Sequence, residues 1–502
     1  MGIPSYFKKL IQTKKTLLLR NVPVKVDALA IDFNCIVYTC LRSSELSEYP
    51  GLENEENHRR WEGELLGQVC KTLKEIWESA GSPPRTFVAV DGVVPMAKIR
   101  QQRMRRFKSV WWAEKEYEMG VRKRGVPRWD TNAITPGTQF MDSLTTKVGT
   151  YCAQHKWEFS SANEKGEGEH KLIRWLRENP SLRNNTIFGL DADLILLSML
   201  YSQQKKTNVW LMREKSEFQD AGADVKYMFL DVCSLREALV SDEHLLDYIM
   251  GMSLLGNDFL PHGLTFKIRE NGHEQLLREL NSLHAQGIRL VENETLNLPG
   301  LKALLSRLAS TEEEDMKRAI KKKLVMKPSA PRNDTEKQML PIQGLPLEWN
   351  AEKIFGTPEK LVDGWKDIYR KQTPKEACAS YLFGLQWILD YYLGKQVVTS
   401  WYFHWNLPPL WSDLVENLDK QYIPPANIEI VPQEQLAMVL PMESWHLVRN
   451  PTLQRLPTLL PQFWPTRFGF LSLGRAWMWE CEADIPILTP GRLQREIDCN
   501  AK

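Results

Sequence analysis

At 502 residues the chain exceeds one core of average size, and its 43% hydrophobic and 25% charged residues are those of an ordinary globular protein. A formal charge of only +2 is too small to announce a polyanion partner, so any recognition of one has to be local. The cysteines (Cys35, Cys40, Cys70, Cys152, Cys233, Cys378, Cys481, Cys499) stand singly, without the paired spacing of a zinc site or a disulfide framework, and no apolar run approaches the ~20 residues that span a bilayer.

Met1 to Arg20 lacks the apolar stretch of a signal peptide. The expectation is a soluble intracellular protein of a reducing compartment, cytoplasmic, with the nucleus as the alternative that the basic stretch from Arg318 to Lys323 suggests.

In chain order, residues 1–268 alternate short β-rich apolar runs with helical patterns. VDALAIDF, RTFVAVDG, NNTIFGLDAD and NVWLMRE read as strands. That alternation predicts an α/β fold with a mainly parallel, twisted sheet flanked by helices, and the unbroken apolar character of the runs suits a sheet covered on both faces. Residues 269–344 read as charged helices followed by a polar connector, KPSAPRNDTEKQMLPIQG. Residues 345–502 hold ten of the eighteen tryptophans and many prolines, the pattern of an aromatic-rich, irregular module packed on the core.

Three of the four strand runs carry aspartates at their carboxyl ends: Asp32, Asp91, and the pair Asp191 and Asp193. The carboxyl end of such a sheet is where sites are built. GLDADL puts two aspartates at i and i+2, which on a strand end point the same way, and GEGEH does the same for Glu167 and Glu169 at a helix start. Asp258, in LLGNDFLPH, completes a set of seven.

Any one of these carboxylates reads adequately as a cap. Seven beside glycine, small or apolar residues do not, because a buried ionised carboxylate without a partner costs several kcal/mol. Mg²⁺ is the matching counter-ion, since it takes hard oxygen ligands, and two such ions clamp both oxygens of an in-line phosphoryl displacement. Mn²⁺ is the expected substitute.

Six basic residues fall in the eleven positions from Lys98 to Lys108, directly after the run that carries Asp91. On a helix, Lys98, Gln102 and Arg105 share a face with Arg106 at its edge. Arg forks, a Lys point charge and a Gln amide suit a phosphate, and a terminal phosphate carries more charge than a diester. A charge run alone is more often a solvated face; its adjacency to the carboxylates favours an anion pocket.

MGIPSYF, IDFNCIVY, VAVDGVVPMAKIRQQRMRRFKS, NAITPGTQFM, KGEGEHKLI, FGLDADLILL and LLGNDFLPH resemble, in order, the motifs of the Xrn/Rat family of 5′→3′ exoribonucleases. The resemblance resumes after the connector in YLFGLQWILDYYLG, SWYFHWNLPPLWSDL, EQLAMVLP and WECEADIPIL. It implies a PIN/FEN-like nuclease core in a compact form lacking the family's long C-terminal extension. It implies metal ligation and catalysis by Asp32, Asp91, Glu167, Glu169, Asp191, Asp193 and Asp258, and 5′-phosphate recognition by Lys98, Gln102, Arg105 and Arg106.

In the family a His and a Trp sandwich the terminal base. Tyr38 occupies the His position here and keeps a π-face without a group that titrates near neutrality, and Trp401 matches the Trp. Met96 stands where the family carries an Arg-like residue after Pro95. The implied activity is stepwise hydrolysis of single-stranded RNA with a 5′ monophosphate by a monomer. A flap-type DNA nuclease and an inactive RNA-binding scaffold are the alternatives.

Overall fold

The computed structural model describes residues 3, 5–215, 225–327, 330–343, 355–475 and 477–500. Seven strands form the main sheet: β1 (Leu18–Leu19), β2 (Ala28–Asp32), β3 (Arg85–Ala89), β4 (Glu158–Ser160), β5 (Asn184–Phe188), β6 (Asn208–Glu214) and β7 (Tyr227–Asp231), in the spatial order β1-β7-β6-β5-β2-β3-β4. From β4 to β6 neighbours run parallel, while β7 is antiparallel to β6 and β1 to β7. The sheet is thus mainly parallel with an antiparallel margin. All four strands expected from the sequence are present as β2, β3, β5 and β6.

The chain runs outward from β2 through β3 and β4, then returns to the other side of β2 for β5 and β6. The crevice at the carboxyl ends of β2 and β5 is therefore the point where the strand order reverses, the usual ligand position in open α/β sheets.

The helices that matter for the site are α1 (Tyr6–Thr13), α2 (Asn34–Leu41), α3 (Glu55–Ser79), α4 (Met96–Glu118), α5 (Gln139–Gln154), α6 (Gly168–Glu178) and α7 (Asp193–Lys205). Side chains alternate along β2. Leu29 and Ile31 join the core that α3 and α5 close with Leu65, Val69, Leu144 and Val148. Ala28 and Ala30 join the opposite core, filled by Leu172 and Leu176 of α6 and Leu196 and Leu200 of α7. The same two-residue period sends Asp32 towards this second layer.

The C-terminal residues build onto that layer. Tyr381, Leu385, Ile388 and Leu389 of the helix Ala377–Leu393 lie in the same continuous core as Ala28 and Ala30, together with Leu436, Val439 and Leu488. Arg103 of α4 is fully buried, and its guanidinium donates to the carbonyls of Pro486 (3.0 Å), Met438 (2.8 Å) and Phe463. One side of the basic helix is therefore committed to holding the aromatic-rich module in place.

Two expectations are corrected. The polar stretch after Lys327 is not a bare connector: Asp334–Gln343 is helical, started by Asn333, whose side chain accepts from the N–H of Glu336 at 2.8 Å. That capping arrangement was hidden in residues that look like linker. The tail also contains a regular 17-residue helix, Ala377–Leu393, although shorter turns and the β-ribbon Gly469–Leu471/Glu482–Asp484 make up much of the remainder. Gly344 to Ile354, including Trp349, and Met1, Gly2 and Pro4 of the opening motif lie outside the described residues. Among the described residues no helix is long and apolar enough to cross a membrane.

Candidate active site

The acidic residues gather where the strand order reverses. Asp32 is the last residue of β2, and Asp91 follows β3 by two positions. Asp91 is fixed by three bonds: it accepts from the amide of Asn34 (2.9 Å) and the N–H of Gly168 (2.6 Å), and its own N–H reaches Asn34 Oδ1 (3.3 Å). Gly168 is small because it must be. A Cβ there would lie 2.6 Å from Asp32 Oδ1 and 3.0 Å from the carbonyl of Ala89. Its absence lets the start of α6, with Glu167 before it and Glu169 in its first turn, press against the ends of β2 and β3.

Asp191 and Asp193 reach the same crevice differently from the sequence expectation. β5 stops at Phe188, Gly189 follows, and Asp193 is the first residue of α7, so the pair belongs to a strand-to-helix turn rather than to a strand end. Glu169, Asp191 and Asp193 nevertheless present carboxylate oxygens within 4.8 Å of one another, and Glu167, Glu169 and His170 present ligand atoms equally close.

The electrostatics are those of carboxylates crowded out of water. Burial first, then the charges of Asp91, Asp191 and Asp193, holds the Asp32 carboxyl well above its ordinary range. Burial, then Asp193 and Glu167, does the same to Glu169. Asp193 is pushed up to about 7 by burial and then by Asp191. Burial also raises Glu167, against the pull of Lys98 and the hydroxyl of Tyr391. Burial opposes the low value of Asp191, but nearby positive charges, Lys98 and Arg213 among them, prevail. Glu169 Oε1 and Asp193 Oδ1 are sealed from solvent with no hydrogen-bond partner. Oxygens left so in a polar site fit divalent cations, and the donor set is the hard one that Mg²⁺ takes.

The basic helix joins this cluster directly. Lys98, on the first turn of α4, places Nζ 2.5 Å from Glu167 Oε2 and 2.8 Å from Asp258 Oδ2. Burial opposes its charge, but Asp258, Glu167, Glu169 and Asp193 overcome that and hold the ammonium protonated. Gln102 and Arg106 are buried further along the same face, and Gln102 Oε1 and Arg106 Nη1 find no hydrogen-bond partner. Arg105 projects into solvent. Burial lowers Arg106 to about 10, with Tyr38 and Asp130 as charged or ionisable neighbours.

The aromatic pair separates. Tyr38, on α2, is 39% exposed and flanks Arg106. Trp401 is 0% exposed: its ring fills the space left by Gly384, where a Cβ would lie 2.6 Å away, and it packs on Trp387. No face of Trp401 is free for a base, so the matched tryptophan is a core residue.

The structure adds residues that spacing alone did not single out. Asn34 orients Asp91. Tyr391, from the helix Ala377–Leu393, donates to Glu167 Oε1 at 2.8 Å and lays its ring 3.9 Å from that of His170. Next to it, Tyr392 is buried among Asp193, Glu169 and Asp258, its hydroxyl without a hydrogen-bond partner. These tyrosines and His170 stand in motifs quoted for their family likeness, but a C-terminal residue completing an N-terminal site carries no local signature.

This geometry agrees with the comparisons. The profile of the XRN 5'-3' exonuclease N-terminus matches residues 1–215, and that of the Xrn1 helical domain matches residues 362–499. The chain belongs to the Xrn family of 5'-3' exonucleases. Its relatives in that family include the 5'-3' exoribonuclease 1 of Homo sapiens, 25% identical over 100% of this chain and 34% of that protein. The 5'-3' exoribonuclease 1 of Schizosaccharomyces pombe is 26% identical over 98% of this chain and 48% of its own length, and the 5'-3' exoribonuclease 2 of Gallus gallus is 24% identical over 99% and 70%. The chain thus spans less than half of the first two. The family's two conserved segments meet here at one site, through Glu167 and Tyr391.

Proposed function

We propose that this Xrn-family chain is a 5′→3′ exoribonuclease that hydrolyses single-stranded RNA with a 5′ monophosphate and releases nucleoside 5′-monophosphates. The observation that carries the reading is the continuity of the acidic crevice with the basic face of α4 through Lys98, which touches carboxylates while Gln102, Arg105 and Arg106 extend away from them. Asp32, Asp91, Glu167, Glu169, Asp191, Asp193 and Asp258 would hold two divalent ions, Mg²⁺ with Mn²⁺ as substitute. When bound, such ions supply an activated water and neutralise charge on the scissile phosphate.

The chain's own groups set the register. Arg106 is buried with an unused donor and Arg105 stands free beside it, so a terminal phosphate can be gripped from two sides. Tyr38 offers a stacking surface next to that grip. A strand anchored by its end is cut one residue in, which favours exonucleolytic over internal cleavage. The eight cysteines are free thiols, in keeping with a reducing compartment, and we place the protein in the cytoplasm as a monomer.

The decisive assay offers RNAs with 5′ monophosphate, triphosphate, cap and hydroxyl ends, and a matched DNA, each with Mg²⁺ and with EDTA. Mononucleotide release confined to monophosphorylated RNA with Mg²⁺ is expected. Equal cleavage of the DNA would favour a flap-type nuclease, and no turnover on any substrate would favour a scaffold.

A further inference from the structure

The all-carboxylate group Glu169, Asp191 and Asp193 has a neighbour of different chemistry. Glu167, Glu169 and His170 bring one ligand atom each to within 4.8 Å, and the third is an imidazole nitrogen. Two observations indicate that this space is shaped for a ligand. Glu169 is 3% exposed and its Oε1 has no hydrogen-bond partner, and His170 Nε2 is likewise sealed from solvent and unpartnered. Buried polar atoms are normally satisfied, so two in one small region call for an occupant that accepts lone pairs from both.

Tyr391 holds the arrangement: its hydroxyl fixes Glu167 at 2.8 Å and its ring lies 3.9 Å from the His170 ring at an interplanar angle of 34°. Ligating side chains are commonly oriented by an outer partner of this kind.

We propose that Glu167, Glu169 and His170 form a mixed nitrogen and oxygen cation position that takes a transition-metal ion such as Mn²⁺ in preference to Mg²⁺. Mg²⁺ demands oxygen ligands and parts reluctantly with water, whereas imidazole is a good donor to first-row transition ions. The inference rests on the reading of this crevice as a divalent-cation site, and adds a ligand and a selectivity to it. Lys98 is the built-in competitor, because its Nζ sits 2.5 Å from Glu167 Oε2. A cation on Glu167 leaves Lys98 with its second partner, Asp258, at 2.8 Å.

The test uses the full chain and Mn²⁺ or Mg²⁺ as the only probes. Pulsed electron paramagnetic resonance of the Mn²⁺-loaded wild-type protein is expected to show the nitrogen coupling of a directly bound imidazole. Titration of His170→Phe, which keeps a ring against Tyr391, is expected to show Mn²⁺ affinity reduced by about tenfold or more, and Mg²⁺ affinity by clearly less. Absence of nitrogen coupling in the wild type overturns the proposal, with no variant needed. So does an unchanged Mn²⁺-to-Mg²⁺ affinity ratio in a variant that melts like wild type in EDTA. If either occurs while Mg²⁺-dependent RNA hydrolysis persists, the imidazole position alone is refuted; if Mg²⁺ neither binds nor supports hydrolysis, the cation reading of the crevice falls instead.

Discussion

The acidic crevice and the basic face of α4 meet at Lys98, yet they form by different rules. The carboxylates arrive from five separate places in the chain and converge, each held by the backbone that delivers it: a strand end, two strand-to-helix turns, a helix start and the Asn257–Asp258 loop. The basic residues sit on one helix and diverge. Lys98 is taken by the carboxylates, Arg103 by the carbonyls of the C-terminal module and Arg106 by a buried niche, while Arg105 is left to solvent. Helical spacing states which residues share a face. What covers that face is decided by elements hundreds of residues away.

The comparison breaks most visibly at the carboxylates. Asp191→Ala removes one of three carboxylates whose oxygens lie within 4.8 Å of one another. On the two-cation mechanism proposed above, bound metal contributes several kcal/mol at the transition state, so a loss of about a thousandfold or more in single-turnover rate is expected, with RNA binding in EDTA retained. Hydrolysis within tenfold of wild type in that variant would place the metal site elsewhere.

The two aromatic residues sharpen the contrast. Trp401→Ala empties a fully buried site between Gly384 and Trp387 and should cost about 3–5 kcal/mol of stability, read by chemical denaturation. Tyr38→Ala, at a residue 39% exposed, should leave the denaturation midpoint nearly unchanged while weakening binding of short single strands by about 1–3 kcal/mol. If the two variants exchanged these phenotypes, the assignment of core and platform would be reversed.

On the basic side a smaller effect is expected. Arg105→Ala removes one exposed guanidinium from the proposed phosphate pocket, so preference for monophosphate over hydroxyl ends should fall by about ten- to a hundredfold, with the melting temperature unaffected. Competition assays with paired 5′-phosphate and 5′-hydroxyl RNAs measure this. An unaltered preference would assign the grip to Arg106 and Gln102 alone.

The difference between the two regions also explains what the sequence disclosed. The strands β2, β3, β5 and β6 and the start of α6 were legible because apolar runs, glycine and acidic punctuation are local signals. Two-residue β1 and three-residue β4 carry too little pattern to read, and the five-residue β7 passes directly into the helix Val232–Leu239 with no turn signal between them. Asp191 and Asp193 read as a strand end because acidic residues two apart look the same on a strand as in the strand-to-helix turn that follows Gly189. Trp401 matches the family motif, but motif position does not report burial. Tyr391 carries no such local signal, because its role exists only across 224 residues of sequence.

The smallest expected effect is one of pH on stability, and its sign distinguishes the regions. Asp193 titrates at about 7 in the folded protein against an ordinary 3.8, so between those values the native chain keeps a proton that the unfolded chain releases. Stability from this group is therefore greatest at the acid end of the window and falls as pH rises through about 7; Asp32 and Glu169 shift in the same direction. In EDTA the melting temperature of wild type should decline more steeply between pH 5 and 8 than that of Asp193→Asn, by on the order of a few degrees. Saturating Mg²⁺ should flatten the decline, because the proposed cation would replace the proton as the partner of the carboxylate. Parallel slopes for wild type and variant in EDTA would mean that Asp193 is ionised throughout that range.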